Sequence, residues 1–143
     1  MKKILIFCAA LFLSAAIANA DNKAIDVNRL PQASLAFLNT HFPDVQILYA
    51  TQEDDLIYPD YDVALANGVY VEFYNNGALE KIECNNGISN DFIPTPIVEF
   101  VKVRYPQAYF VEYKVDRKHY EVKLSNRLEL KFNKNFNLLE IDD

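Results

Sequence analysis

Tyr120-Glu121-Val122-Lys123-Leu124-Ser125-Asn126-Arg127-Leu128-Glu129-Leu130-Lys131-Phe132 alternates apolar and charged residues on either side of Ser-Asn-Arg. Alternation at period two sends successive side chains to opposite faces of a strand, and Ser-Asn is a turn signal. The stretch predicts a β-hairpin. Tyr120, Val122, Leu124, Leu128, Leu130 and Phe132 face a core, and Glu121, Lys123, Glu129 and Lys131 face water. Fifty-nine residues earlier, Tyr61-Asp62-Val63-Ala64-Leu65-Ala66-Asn67-Gly68-Val69-Tyr70-Val71-Glu72-Phe73 carries the same pattern. Its Asn67-Gly68 is the dipeptide favoured in two-residue hairpin loops.

The repetition extends outward. Leu30-Pro31 precedes a helical spacing of Leu35, Leu38 and Phe42, which stops at Pro43. Ile93-Pro94 precedes Val98, Val101 and Tyr105, which stop at Pro106. Strands are predicted over 45–53 and 109–116, where the inward register of the first is ambiguous between Val45, Ile47, Tyr49 and Leu48, Ala50. Short closing strands follow at 78–83 and 138–141. Residues 21–29 read as a loose lead-in. Each unit is a helix and four strands, too small to be stable alone. The predicted fold is therefore α+β: two tandem helix-plus-four-strand repeats forming one antiparallel sheet, with both helices packed on one face. The repeats span about 30–83 and 93–142 of a single domain, 21–143.

Residues 1–20 have a Lys2-Lys3 start, an apolar run and Ala18-Asn19-Ala20, the form of a cleaved secretory signal peptide. The apolar run is too short to span a bilayer comfortably, so no membrane span is expected after cleavage. Cys8 lies too early for lipidation. The remaining 123 residues carry 12 bases against 20 acids, a balance that argues against nucleic acid and anionic membrane surfaces. The expected location is periplasmic or secreted. Cys84 is then the only cysteine, and it reads as a buried thiol, with a bridge between chains as the alternative.

Leu-Pro, a short helix, Phe-Pro or Tyr-Pro, a strand, then Tyr-x-Val-x-Leu-x-Asn-Gly and Glu-x-x-Phe resembles the β-lactamase-inhibitor-like, PepSY-like family of small exported bacterial proteins. Leu30-Pro31, Phe42-Pro43, Tyr61 to Leu65, Asn67-Gly68 and Glu72-Phe73 carry it in the first copy. Ile93-Pro94, Tyr105-Pro106, Tyr120 to Leu124, Ser125-Asn126 and Phe132 carry it in the second. The second copy departs at Arg127 and Phe136, where the first has Gly68 and Gly77. A turn with positive φ at both centres would be strained with Arg127, so a different turn is expected there. The resemblance implies an inhibitor of a secreted enzyme, and no inhibitory residue is carried over.

No catalytic constellation emerges, and no enzyme, metal or cofactor is expected. His41 and His119 lie on different elements, the serines lack a nucleophile-elbow context, and the three glycines sit in turns. The acidic run Glu53, Asp54, Asp55, Asp60, Asp62 matches no calcium-loop spacing. Charge is asymmetric: residues 21–92 hold 12 acids and 3 bases, and residues 93–143 hold 8 acids and 9 bases. The outward side of the first hairpin offers Asp62, Ala64, Tyr70, Glu72 and Tyr74 where its twin has lysines. Exposed tyrosine supplies large contact area with a polar tip. Asp62, Tyr70, Glu72 and Tyr74 are accordingly the candidate binding residues. The expected function is that of an exported, non-enzymatic, inhibitor-like module engaging another extracytoplasmic protein through its open sheet face. A periplasmic small-ligand or cation carrier or sensor is the alternative.

Overall fold

A computed structural model describes residues 22–53 and 57–143. The leader expected over 1–20, and Asp54 and Asp55 of the acidic run, lie outside the described residues. Among the described residues the fold is α+β, with two α-helices and one nine-stranded antiparallel sheet whose strand order is the order of the sequence. The first half contains β1 (Asn22–Ile25), α1 (Gln32–His41), β2 (Ile47–Glu53), β3 (Tyr61–Leu65), β4 (Tyr70–Phe73) and β5 (Leu79–Glu83). The second contains α2 (Thr95–Arg104), β6 (Phe110–Val115), β7 (His119–Leu124), β8 (Glu129–Asn133) and β9 (Leu138–Asp142). The strand β1 corrects the sequence reading of a loose lead-in. Asn22, Lys23 and Ala24 have little strand propensity, but pairing against β2 satisfies the backbone groups of the strand, and Ile25 packs against the core.

Alternation places Val63, Leu65, Val71, Phe73, Ile82, Val122, Leu124, Leu130 and Phe132 in the core, each almost wholly buried. Tyr120 and Leu128 are only half-buried at its margin. Proline brackets both helices, and helix rings reach the sheet at matching points. Phe37 meets Phe73 edge-on at 5.6 Å, and Phe100 meets Phe132 edge-on at 5.3 Å. Such pairs add about 0.5–1.5 kcal/mol to the burial of each ring. The helix position occupied by Ile97 in α2 is Ser34 in α1; both are fully buried. Ser34 Oγ donates to the Gly77 carbonyl at 3.2 Å, which satisfies the buried hydroxyl.

Two local readings are corrected. Bulges interrupt the β2–β3 register between Ile47 and Tyr49 and the β6–β7 register between Phe110 and Glu112. The extra residue Leu48 switches parity, so Ile47 packs on the core, Tyr49 points to solvent and Ala50 is buried. This is why neither simple alternation of 45–50 fits. The hairpin loops are also not two-residue turns. Gly68 N donates to the Leu65 carbonyl, and Leu65 N to the Val69 carbonyl. That closes a three-residue loop with only its last residue at positive φ. The same bonds recur at Leu124–Leu128, Tyr74–Ala78 and Asn133–Asn137. The second half does not change the turn; it holds Arg127 at φ 76° and Phe136 at φ 65° where the first has Gly68 and Gly77.

Candidate functional site

Opposite the core, cross-strand pairing lines side chains into two rows running from β2 to β9. One row is Thr51, Asp62, Glu72, Lys81, Lys114, Glu121, Lys131, Glu140. The other is Tyr49, Ala64, Tyr70, Glu83, Glu112, Lys123, Glu129, Asp142. In the second half the face pairs its own charges, as the alternation anticipates. Lys123 Nζ reaches Glu129 at 2.8 Å, and Lys131 Nζ reaches Glu121 at 3.3 Å. Exposed pairs of this kind contribute little to stability, but they leave few unpartnered charges.

The first half and the centre are different. Asp62 and Glu72 are direct cross-strand partners, both acidic. Asp62 Oδ2 accepts from Asn22 Nδ2 at 2.9 Å and from Thr51 Oγ1 at 3.5 Å. Partial burial pushes the Asp62 carboxyl up, with Glu72 and Glu53 adding to the effect, while hydrogen bonds from Tyr70 and Thr51 oppose it. Burial and the Asp62 charge raise Tyr70 in turn, so its hydroxyl stays a donor. Glu72 is held by Lys81 at 2.7 Å, and the same ammonium lies 3.5 Å from Glu83. Burial works against the charge on Lys81, but the hydrogen bond to Glu72 and the surrounding carboxylates outweigh it, and its pKa is raised. At the centre Glu83 directly faces Glu112. Burial raises the Glu112 carboxyl; Lys81 opposes this, and the charge and hydrogen bond of Glu83 reinforce it.

Asp62, Tyr70 and Glu72 thus come together on one face. Tyr74 does not join them. Its hydroxyl donates to the Val115 carbonyl at 2.8 Å, bridging the seam where pairing of β5 and β6 runs out beyond Lys81 and Lys114. There it lines an open crevice of about 710 Å³ with Leu79, Val115, Arg117, Lys118 and His119. Tyr49, by contrast, was absent from the sequence-derived set. It is 51% exposed and stands in the row with Ala64 and Tyr70. Its counterpart in the second half is Glu112, whose neighbour Tyr113 is inward like Ala50; that correspondence was the available signal.

Cys84 is buried with a free thiol. Among the described residues no group of three or more His, Cys, Asp or Glu side chains is placed to hold a metal ion, and no helix is long and apolar enough to cross a membrane.

The family model for beta-lactamase-inhibitor-like, PepSY-like proteins matches residues 59–140. The chain belongs to the PepSY-like family. Three solved structures of Bacteroides proteins are similar to this PepSY-like chain. One is a candidate calcium-regulated periplasmic protein from Bacteroides thetaiotaomicron. It is 40% identical with a TM-score of 0.81, over 86% of this chain and 98% of that one. A periplasmic protein of the DUF2874 family from Bacteroides vulgatus is 37% identical with a TM-score of 0.81, over 88% and 100% of the two chains. A second Bacteroides vulgatus periplasmic protein, of unknown function, is 34% identical with a TM-score of 0.79, over 85% and 99%. Among curated proteins none matches. The PepSY-like chain is periplasmic or secreted, as its solved relatives are periplasmic, and no catalytic family is indicated.

Proposed function

We propose that this PepSY-like protein is an exported, non-enzymatic, inhibitor-like binding module that engages another extracytoplasmic protein through the open face of its sheet. In this reading the domain is residues 21–143, released from a leader at 1–20. It consists of two tandem units, about 30–83 and 93–142, with both helices on one face. The matched cross-strand registers and the paired contacts Phe37–Phe73 and Phe100–Phe132 support that organisation. The binding residues are Asp62, Tyr70 and Glu72, with Tyr74 at the seam crevice. One observation carries the choice of face: the first half presents tyrosines and acids where the second pairs lysines with glutamates. Aromatic groups ringed by polar ones are typical of protein interfaces.

The test is capture from an envelope fraction by the immobilised protein, with the partner then purified and its affinity measured. Tyr70→Ala with Glu72→Ala is expected to lose the partner, and Tyr74→Ala to weaken it less. Unchanged affinity in both variants removes the open face as the site.

A second reading, as a cation carrier or sensor, is favoured by the calcium-regulated description of the Bacteroides thetaiotaomicron relative. The described residues do not fit such a site. On the leading reading, calcium leaves the melting temperature unchanged, and a saturable calcium-dependent rise would put the cation reading first.

A further inference from the structure

The row Tyr49, Ala64, Tyr70 has a shape that the rest of the face lacks. The three residues are consecutive cross-strand partners on β2, β3 and β4. Their strand neighbours Ala50, Val63 and Val71 are buried, so the three project to the open side. Two strand spacings, about 9.5 Å, separate the tyrosine backbones. Between them stands only a methyl group. A planar group or alkyl stem held between two rings needs about 7–8 Å at ordinary contact distances. The backbone spacing therefore leaves room for one side chain over Ala64, a slot between the two tyrosines. Asp62 lies two residues along β3 on the same face, at the end of the slot. Asn22 and Thr51 both donate to its Oδ2, and Tyr70 also hydrogen-bonds it; a carboxylate accepts about four hydrogen bonds, which leaves one for a guest.

The second half shows what occupies the equivalent position there. Its three residues in the same row are Glu112, Lys123 and Glu129. The middle residue is a lysine whose ammonium meets Glu129 at 2.8 Å. That half supplies its own cation between two acidic flanks. The first half replaces the lysine with alanine and the flanks with aromatic rings, whose faces attract cations. Tyr70 already has Lys81 Nζ 5.9 Å from its ring centroid, on the side toward β5. Its side toward β3 faces the slot. Asp62, Glu72 and Glu83 outnumber Lys81 around it, so the surrounding charge favours a positive guest.

We propose that the slot between Tyr49 and Tyr70 receives a basic side chain, arginine or lysine, presented by the partner protein, with Asp62 accepting its hydrogen bonds. This rests on the reading that the open face is the binding face and names the chemistry it recognises. The position of Lys123 gives the pose, with the alkyl stem over the residue 64 position and the charge among the flanking groups.

The probe is the capped tripeptide acetyl-Gly-Arg-Gly-amide, its lysine counterpart and a neutral citrulline counterpart, titrated into the purified protein at low ionic strength. Tyrosine ring resonances are followed by NMR. The expected result is saturable shifts at Tyr49 and Tyr70 with a Kd near ~10 mM, on the scale of a single weak contact, and none with citrulline. Ala64→Lys, which copies the second half, weakens binding at least ~tenfold, about 1.4 kcal/mol. Tyr49→Leu does the same from an exposed position, so the test survives if Ala64→Lys misfolds. Equal shifts with citrulline, shifts confined to the second half, or full binding by both variants overturn the proposal. Affinity for the purified partner separates the two levels. Loss in Tyr70→Ala/Glu72→Ala but retention in both Ala64→Lys and Tyr49→Leu keeps the binding face and overturns the basic guest. Retention in every variant overturns both.

Discussion

The loops of the first half place Gly68 and Gly77 at the positive-φ position, whereas the corresponding loops of the second half place Arg127 and Phe136 there. Backbone hydrogen bonds are the same in both. The difference lies in what surrounds each loop. A Cβ on Gly77 would stand 2.8 Å from Pro31 Cβ and 2.9 Å from Ala33 Cβ, so the loop and the start of α1 approach too closely for a side chain. In the second half Phe136 turns its ring onto Tyr120, stacked at 5.3 Å, and that contact offsets a conformation costing about 1–2 kcal/mol. Hairpin geometry is thus dictated by strand pairing. Loop sequence determines the energetic cost of that geometry.

Measurements can break this equivalence in order of expected size. Phe73→Ala and Phe132→Ala each remove a fully buried ring met edge-on from a helix, and each should lower stability by about 3–5 kcal/mol in urea denaturation. A cost below about 1 kcal/mol in either would mean that the halves do not share one core. Gly77→Ala combines positive φ with the clash at Pro31 and should cost about 2–3 kcal/mol. An unaffected melting temperature would show that the start of α1 yields freely. Arg127→Gly relieves positive φ at a residue for which no aromatic stack compensates, and should raise stability by up to about 1 kcal/mol. A loss of stability in that variant would assign Arg127 a contact beyond its loop.

The smallest effect concerns the centre of the face. The raised Glu112 carboxyl means that its charge costs the folded state stability. That cost is full above the folded pKa. It is relieved as pH falls through the folded value toward the unfolded one, about 4.3. Glu112→Gln should therefore raise the melting temperature at pH 7 by about 1–2 °C, a few tenths of a kcal/mol. The difference from the parent should shrink as pH is lowered. A difference that grows on acidification would identify Glu112 as a net stabilising charge held by Lys81 and Lys123.

Much of the fold was legible because period-two alternation survives in 61–73 and 120–132 and proline marks both helices. The charge pairs Glu121–Lys131 and Lys123–Glu129 also follow directly from that alternation. The edge strand β1 was not legible, since only Ile25 of its four residues favours a strand and pairing with β2 completes it. Tyr49 was missed because one bulged residue, Leu48, reverses the facing of everything after it, and a bulge leaves no mark in a run of Ile, Leu and Tyr. Tyr74 was misplaced for the converse reason. Its parity is outward, but the gap between β5 and β6 gives its hydroxyl a backbone partner. The facing of residues in the middle of strands was legible, and that of residues at bulges and seams was not.

The strand order has a consequence for how the chain acquires its structure. Every strand after β1 pairs with the strand immediately before it, so none has to wait for a partner further along the chain. A polypeptide threaded out of the cytoplasm N-terminus first could add strands one at a time as they emerge. The helix-bearing connections between β1 and β2 and between β5 and β6 are the long steps. Pairings this local favour rapid folding and limit the time that unpaired edges stand exposed to other chains.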